Sequence, residues 1–312
     1  FSPKAKTWFW DIYKNLTDLG VSGWWGDLGE PEVHPEDMIH HGGLQANQVH
    51  NIYGNEWAKL ISEGYSRDYS NHRPFILMRS AYSGAQRYGL IPWSGDVNRT
   101  WGGLFGQTEI ALQMGMQGIA FMHSDLGGFA GPYEDDELYT RWLQYGVFQP
   151  IFRPHGQEEV AAEPIFKSSK TKALVKTAIE LRYSLLPYNY NLVFENHQTG
   201  VPLMRPLLFE EPNNKVFQSL ATTYLWGEDF LISPVVLPNI KTQKVHFPET
   251  SDWFDFYTDK KLEGGSIQDI ALHTSYIPTY VRSGAFVPRV NGLVNTDQYD
   301  MSAFDLHFYF GS

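Results

Sequence analysis

Alternation is the feature that most constrains what this chain can fold into. From residue 5 to about residue 207, segments whose apolar residues recur at helical spacing give way, one after another, to short apolar runs that suit buried strands. "AKTWFWDIYKNLTDL" leads into "GVSGWW", and "EWAKLISEGY" into "RPFILMRS", whose continuous apolar centre predicts a strand covered on both faces. "IPWSGD" is a further short strand, "FGQTEIALQMGMQ" precedes "GIAFMHSDLGG", and a long helical stretch over 170–200 leads into "VPLMRPL". This pattern predicts an α/β fold with a parallel sheet. Asp27, Arg79, Asp96 and Asp125 all fall at strand C-terminal ends, where a (β/α)8 barrel builds its site. A doubly wound sheet competes, but it gathers ligand groups at one switch point rather than at four successive strand ends. Five strands cannot close a barrel of eight. The expectation is therefore the C-terminal part of a TIM barrel, which needs a missing N-terminal part of the same protein to complete it.

After about residue 224 the texture changes. "DFLISPVVL", "KVHFPE", "WFDFYT", "SYIPTYVRSGAFVPRV" and "DLHFYF" are short runs rich in β-branched and aromatic residues, separated by Gly, Pro, Asn and Asp. They predict a small antiparallel β-sandwich. The expected division is a partial barrel over 1–224 and the β-domain over 225–312.

Composition narrows the chemistry. The 312 residues are 42% apolar and 19% charged, enough for a substantial core. Aromatic residues reach 15%, with ten tryptophans; they suit an ordinary core and also the faces of sugar rings. A net charge of -11 argues against nucleic acid or an anionic membrane as the main partner. No apolar run approaches the roughly 18 to 20 residues of a membrane span. The chain has no cysteine, so disulfides, thiolate metal sites and cysteine nucleophiles are excluded. There is no GxGxxG, P-loop, HExxH or GxSxG, and His34, His40, His41 and His50 show no zinc spacing. "YEDDE" at 133–137 reads as a cation site or, more simply, as a solvated acidic loop.

Carboxylates are what remain. "GWWGDLGEPE" packs Asp27, Glu30 and Glu32 behind Trp24 and Trp25, and "WWGD" is echoed by "WSGD", which ends at Asp96. Two aspartates facing each other across a barrel mouth can divide labour, one as nucleophile and one as acid. Retaining glycoside hydrolysis needs such a pair about 5 to 5.5 Å apart. The competing reading is that both aspartates cap helices or turns. Arg79 either pairs with a carboxylate or holds a substrate hydroxyl. His155, beside Arg153 in "IFRPHG", is either structural or part of the mouth.

These motifs resemble glycoside hydrolase family 31, the retaining α-glucosidase and α-xylosidase family, over essentially the whole chain. "GWWGDLGEPE" is similar to its nucleophile motif and "WSGDVNRTW" to its acid/base motif. The resemblance implies Asp27 as nucleophile, Glu30 as supporting carboxylate and Asp96 as acid/base. "RS" at Arg79 and Ser80, "HSDLGGF" around Asp125, and "RWLQYGVFQPIFRPHG" through Arg141, Trp142, Arg153 and His155 resemble its glucosyl-binding segments. On this basis Trp25, Glu30, Trp93, Arg79, Asp125, Arg153 and His155 are expected to bind the sugar. "GEDFLISPVV" and "WFDFYTDKKLEGG" are similar to its proximal C-terminal β-domain. Neither metal nor organic cofactor is implied.

Leu28 and Gly29 replace the family's usual Met-Asn, and "EPEVHPEDMIHHGG" extends the loop. That variant most resembles the bacterial oligosaccharide 4-α-glucosyltransferases, which implies an oligosaccharide substrate and a periplasmic or cell-surface location. The same resemblance implies an N-terminal β-sandwich and three barrel strands outside this chain, so the piece is expected to be inactive by itself. Alternatives within the family are an α-galactosidase or α-xylosidase. Outside it stand a catalytically silent carbohydrate-binding protein and a purely structural interaction domain. Oligomeric state is left open.

Overall fold

The computed structural model describes residues 2–300 and 302–311. Its first sheet is parallel, in the order β1 (Gly23–Gly26), β2 (Phe75–Met78), β3 (Leu90–Ile91). Ile76, Leu77 and Met78 are all buried, as their continuous apolar run predicts. Beyond β3 the parallel arc continues through single bridges, Trp93 to His123 and then Leu126 to Pro154. "GIAFMHSDLGG" thus occupies a strand position without forming a regular strand. "IFRPHG", read from sequence as a polar loop, supplies the fifth position, with Leu126 N donating to Arg153 O at 3.1 Å.

Helices cover the connections. Pro3–Asp18 precedes β1 and Tyr53–Asp68 joins β1 to β2; Trp10 and Tyr65 pack between these helices and the sheet. Gln107–Met116 and Asp136–Gly146 follow, and Asp135 caps the latter by accepting from the backbone N–H of Glu137 and Leu138. "YEDDE" is therefore a helix start. The long stretch over 170–200 is two helices, Ser169–Ser184 and Leu186–Thr199. Pro187 explains the break: it lacks the N–H that a continuous helix would use and suits the first turn of a new one.

The second sheet is antiparallel and six-stranded, with order β4 (Met204–Pro206), β5 (Tyr224–Trp226), β6 (Phe230–Ile232), β11 (Thr279–Arg282), β8 (Trp253–Asp255), β9 (Lys261–Leu262). β7 (Thr242–His246) pairs with β10 (Ile267–Ala271), and β12 (Phe286–Arg289) with β13 (Asp305–Phe308). "VPLMRPL" enters this sheet as β4, so its pairing reaches back before residue 225. One hydrophobic cluster also crosses that position, joining Trp142, Phe148 and Tyr188 to Tyr224, Trp226 and Phe230.

Two arginines fasten these layers to the loops above. Arg182 donates to the carbonyls of Val147, Gln149 and Pro150 at 2.7 to 2.8 Å, which sets the turn leading into 151–155. Burial lowers its pKa to about 10, so it keeps its charge near neutral pH. Arg141 donates to the carbonyls of His273 and Tyr276, at 2.7 and 3.2 Å. It ties a barrel helix to the β-domain and does not enter the site, contrary to the role its motif implied.

Candidate active site

β1 and β2 lie side by side and in parallel, so the residues that follow them emerge together: Arg79 N donates to Gly26 O at 3.1 Å, one step beyond the regular pairing. Leu28 then adopts a left-handed backbone (φ 57°), which turns the chain back over the strand end. Gly29 fits beneath that turn because it has no side chain; a Cβ there would stand 2.9 Å from the Trp57 ring. The turn brings Glu30 and Glu32 onto the same guanidinium that faces Asp27.

Arg79 is the centre of the site. Its Nε and Nη2 donate to the two oxygens of Glu30, at 2.9 and 3.1 Å, and Nη2 also meets Glu32 Oε1. Nη1 lies 3.3 Å from Asp27 Oδ1 and 3.7 Å from Asp96 Oδ1. The two aspartate oxygens are therefore no farther apart than the sum of those lengths. That bound on the nearest oxygens admits the ~5 to 5.5 Å spacing of retaining pairs. Asp27 Oδ1 is buried and has no hydrogen-bond partner, so its contact with Arg79 is an ion pair only. Asp96 is half-exposed. Hydrogen bonding from Arg79 holds the Glu30 carboxyl below the usual carboxylate range, and the carboxylates together push the Arg79 pKa up.

A second cluster stands beside the first. Asp125 is fully buried, Arg153 Nη2 donates to its Oδ1, and its Oδ2 has no partner. Burial outweighs Arg153 and raises the Asp125 pKa to about 7, with the charges of Asp96 and Asp27 acting in the same direction. The Arg153 guanidinium lies 5.5 Å from the centre of the buried Trp93 ring, and Trp93 is 6.0 Å from the exposed Trp25 ring. His155 meets Trp25 edge-on at 5.9 Å and lies 5.4 Å from Phe129. Burial, then Arg153, lowers the His155 pKa, while Asp27 and Asp96 oppose them. All nine residues expected at the site thus fall in two adjoining clusters, one around Arg79 and one around Arg153.

Beneath lies a supporting layer whose contacts the sequence did not show. Arg153 Nε donates to His123 Nε2 at 3.2 Å. Trp142 is wholly buried and donates to Ser124 Oγ at 3.0 Å, so it supports the Asp125 loop from behind. Gln149 donates to Ile151 O at 2.9 Å and to Ser124 O at 3.4 Å. The distant histidines do meet: His34 contacts His50 at 3.0 Å through Nδ1 and His40 at 2.7 Å through Nε2. The rings form a chain and do not converge on a point, and no group among the described residues could hold a metal ion.

A parallel β/α arc whose strand ends carry paired carboxylates, followed by an antiparallel β-domain, defines the class: a TIM-barrel protein with a carboxylate-based site. Family models place it further. The one described as the glycosyl hydrolases family 31 TIM-barrel domain matches residues 1–192, and the one described as that family's C-terminal domain matches 200–287. The chain belongs to glycoside hydrolase family 31. It is 35% identical to an α-xylosidase of Saccharolobus solfataricus, over 100% of this chain and 44% of that protein. It is 34% identical to α-glucosidase 2 of Bacillus thermoamyloliquefaciens, over 91% of this chain and 37% of that one. Among solved structures, a Flavobacterium johnsoniae family 31 dextranase complexed with glucose superposes with a TM-score of 0.94 at 34% identity, covering 100% of this chain and 40% of the dextranase. The chain thus spans less than half the length of these relatives.

Proposed function

We propose that the protein containing this chain is a retaining α-glycosidase acting on terminal α-glucosides, with α-1,4-linked malto-oligosaccharides as its substrate class. The observation that carries this reading is the single Arg79 nitrogen placed 3.3 Å from Asp27 and 3.7 Å from Asp96. Asp27 attacks the anomeric carbon while Asp96, the more exposed of the two, protonates the departing glycosidic oxygen. A glucosyl ester on Asp27 results. Asp96 then takes a proton from the incoming hydroxyl, and the second displacement restores the α configuration. Asp125, Arg153 and His155 hold sugar hydroxyls, and Trp25 and Trp93 offer apolar faces to the ring. Negative charge gathered at the mouth suits the positive charge that develops on the sugar in the transition state.

The acceptor in the second step is water or a sugar hydroxyl; the "EPEVHPEDMIHHGG" loop resembles that of the family's 4-α-glucosyltransferases, which would make the enzyme a glucosyl transferase between α-glucans. Incubating the full-length protein with maltotriose tests this. Products longer than maltotriose beside maltose are expected; glucose and maltose without elongation would reduce the reading to hydrolysis. A second reading, α-xylosidase, is favoured by the 35% identity to the Saccharolobus enzyme over the whole chain. An untouched maltotriose together with cleavage of an aryl α-xyloside would establish it instead.

A further inference from the structure

In "HSDLGGF", His123 stands two positions before Asp125. His123 is 2% exposed, and its Nε2 lies 3.2 Å from Arg153 Nε. Arginine can only donate, so Nε2 must be unprotonated. The ring hydrogen then sits on Nδ1, whose near acceptor is the Phe121 carbonyl at 3.4 Å. Every feature of this contact requires a neutral imidazole in one tautomer. Burial and the adjacent Arg153 charge secure that state by pushing the His123 pKa down to about 3.

We propose that His123 is a positioning residue for the sugar-binding carboxylate: by accepting the Arg153 Nε–H, it fixes the guanidinium so that Nη2 stays on Asp125. The inference rests on the reading of Asp125 as a hydroxyl-binding group of an α-glycosidase. A guanidinium is planar and its hydrogen bonds share one frame, so anchoring Nε sets the direction of Nη2. Trp93 bounds the same guanidinium on one face. The groups that act on the Asp125 charge are Arg153, which stabilises it, and Asp96 and Asp27, which oppose it. His155 carries the opposite dependence, facing Arg153, Asp27 and Asp96. Without the anchor, Arg153 can turn toward the two mouth aspartates, and Asp125 loses the cation that counters its burial.

Two substitutions in the full-length protein test this. His123→Gln places an amide oxygen near the position of Nε2 and keeps the acceptor; His123→Met keeps approximate bulk and removes it. The Asp125 carboxyl titration, followed by NMR with carbon-13-labelled aspartate and assigned with Asp125→Asn, reads the contact without turnover. In H123M the Asp125 midpoint should rise by about one pH unit. The acid limb of kcat/KM should move up with it, and KM should rise about tenfold while kcat changes less. H123Q should keep the wild-type midpoint and a KM within about twofold. An unmoved Asp125 midpoint in H123M, or an equal shift in H123Q, would overturn the proposal. If H123M does not fold, His123→Phe, which keeps a ring and removes the acceptor, takes its place under the same two criteria. A wild-type protein inactive on every α-glycoside would sink the functional reading, and the titration would still judge the contact.

Discussion

Arg79 is one cation facing four carboxylates, which makes it the residue whose loss should be felt most widely. Arg79→Met would leave Asp27 and Glu30 partly buried without their counter-charge. The cost is about 2 kcal/mol, reduced from the value for fully buried pairs because Glu32 and Asp96 reach solvent. A lower thermal midpoint and a drop in turnover of at least about a hundredfold are expected; a variant with unchanged melting would show that the four contacts are only incidental. Asp125 and His123 make a second prediction, from opposed linkage. Asp125 titrates higher when folded (about 7) than an unfolded aspartate, so it binds an extra proton on folding, and its contribution falls as pH rises from ~4 to 7. His123 titrates lower when folded (about 3) than an unfolded histidine, so its contribution grows as pH rises from about 3 to 6.5. Between pH ~4 and 6.5 the two slopes cancel. Asp125→Asn should remove one of them, so the unfolding free energy of that variant relative to the wild type, from urea titrations, should climb with pH by roughly 1 kcal/mol per unit. Of these residues, Asp27, Asp96, Arg79 and Asp125 were legible because each ends an apolar run. His123 was not, because a lone histidine in such a run has the signature of a core residue; its partner Arg153 lies 30 positions away.

At the scale of elements, the loop after β1 is the most finely shaped. Gly29→Ala would force a Cβ to within 2.9 Å of the rigid Trp57 ring, so the loop must lift and take Glu30 off Arg79. A loss of about 1 to 3 kcal/mol in thermal denaturation, together with reduced kcat, is the expected result; full activity would mean that the loop tolerates displacement. The alternating pattern predicted where helices and strands would come because β2 is an apolar run buried along most of its length and the helices bury one face each. It failed where the backbone is only intermittently paired. "IFRP" has two apolar residues before Arg153, and Pro154 has no N–H to donate. Such a segment carries no strand signature, yet it takes the fifth position of the arc through the hydrogen bond from Leu126. The break at Pro187 was visible as a residue, but a helix that ends and restarts within one turn has the same periodicity as a continuous one.

For the whole molecule, the hydrophobic cluster joining barrel helices to the antiparallel sheet is the decisive feature. Phe230 is fully buried and packs against Phe148, Tyr188 and Phe256, with ring centres 5.0 to 5.9 Å apart. Phe230→Ala should cost about 3 to 5 kcal/mol. Hydrogen exchange should show the helix Leu186–Thr199 and the strands β5 and β6 losing protection together; loss confined to the sheet would show two separable cores. By itself the sequence determined the element types, the parallel and antiparallel halves, the family and the carboxylates at strand ends, because periodicity and short motifs are local properties of the chain. Only the tertiary structure decided that Arg79 stands between Asp27 and Asp96, that Arg141 serves the junction and not the site, and that His123 stands behind Arg153. These depend on which segments come to lie side by side, and packing between elements far apart in the chain settles that.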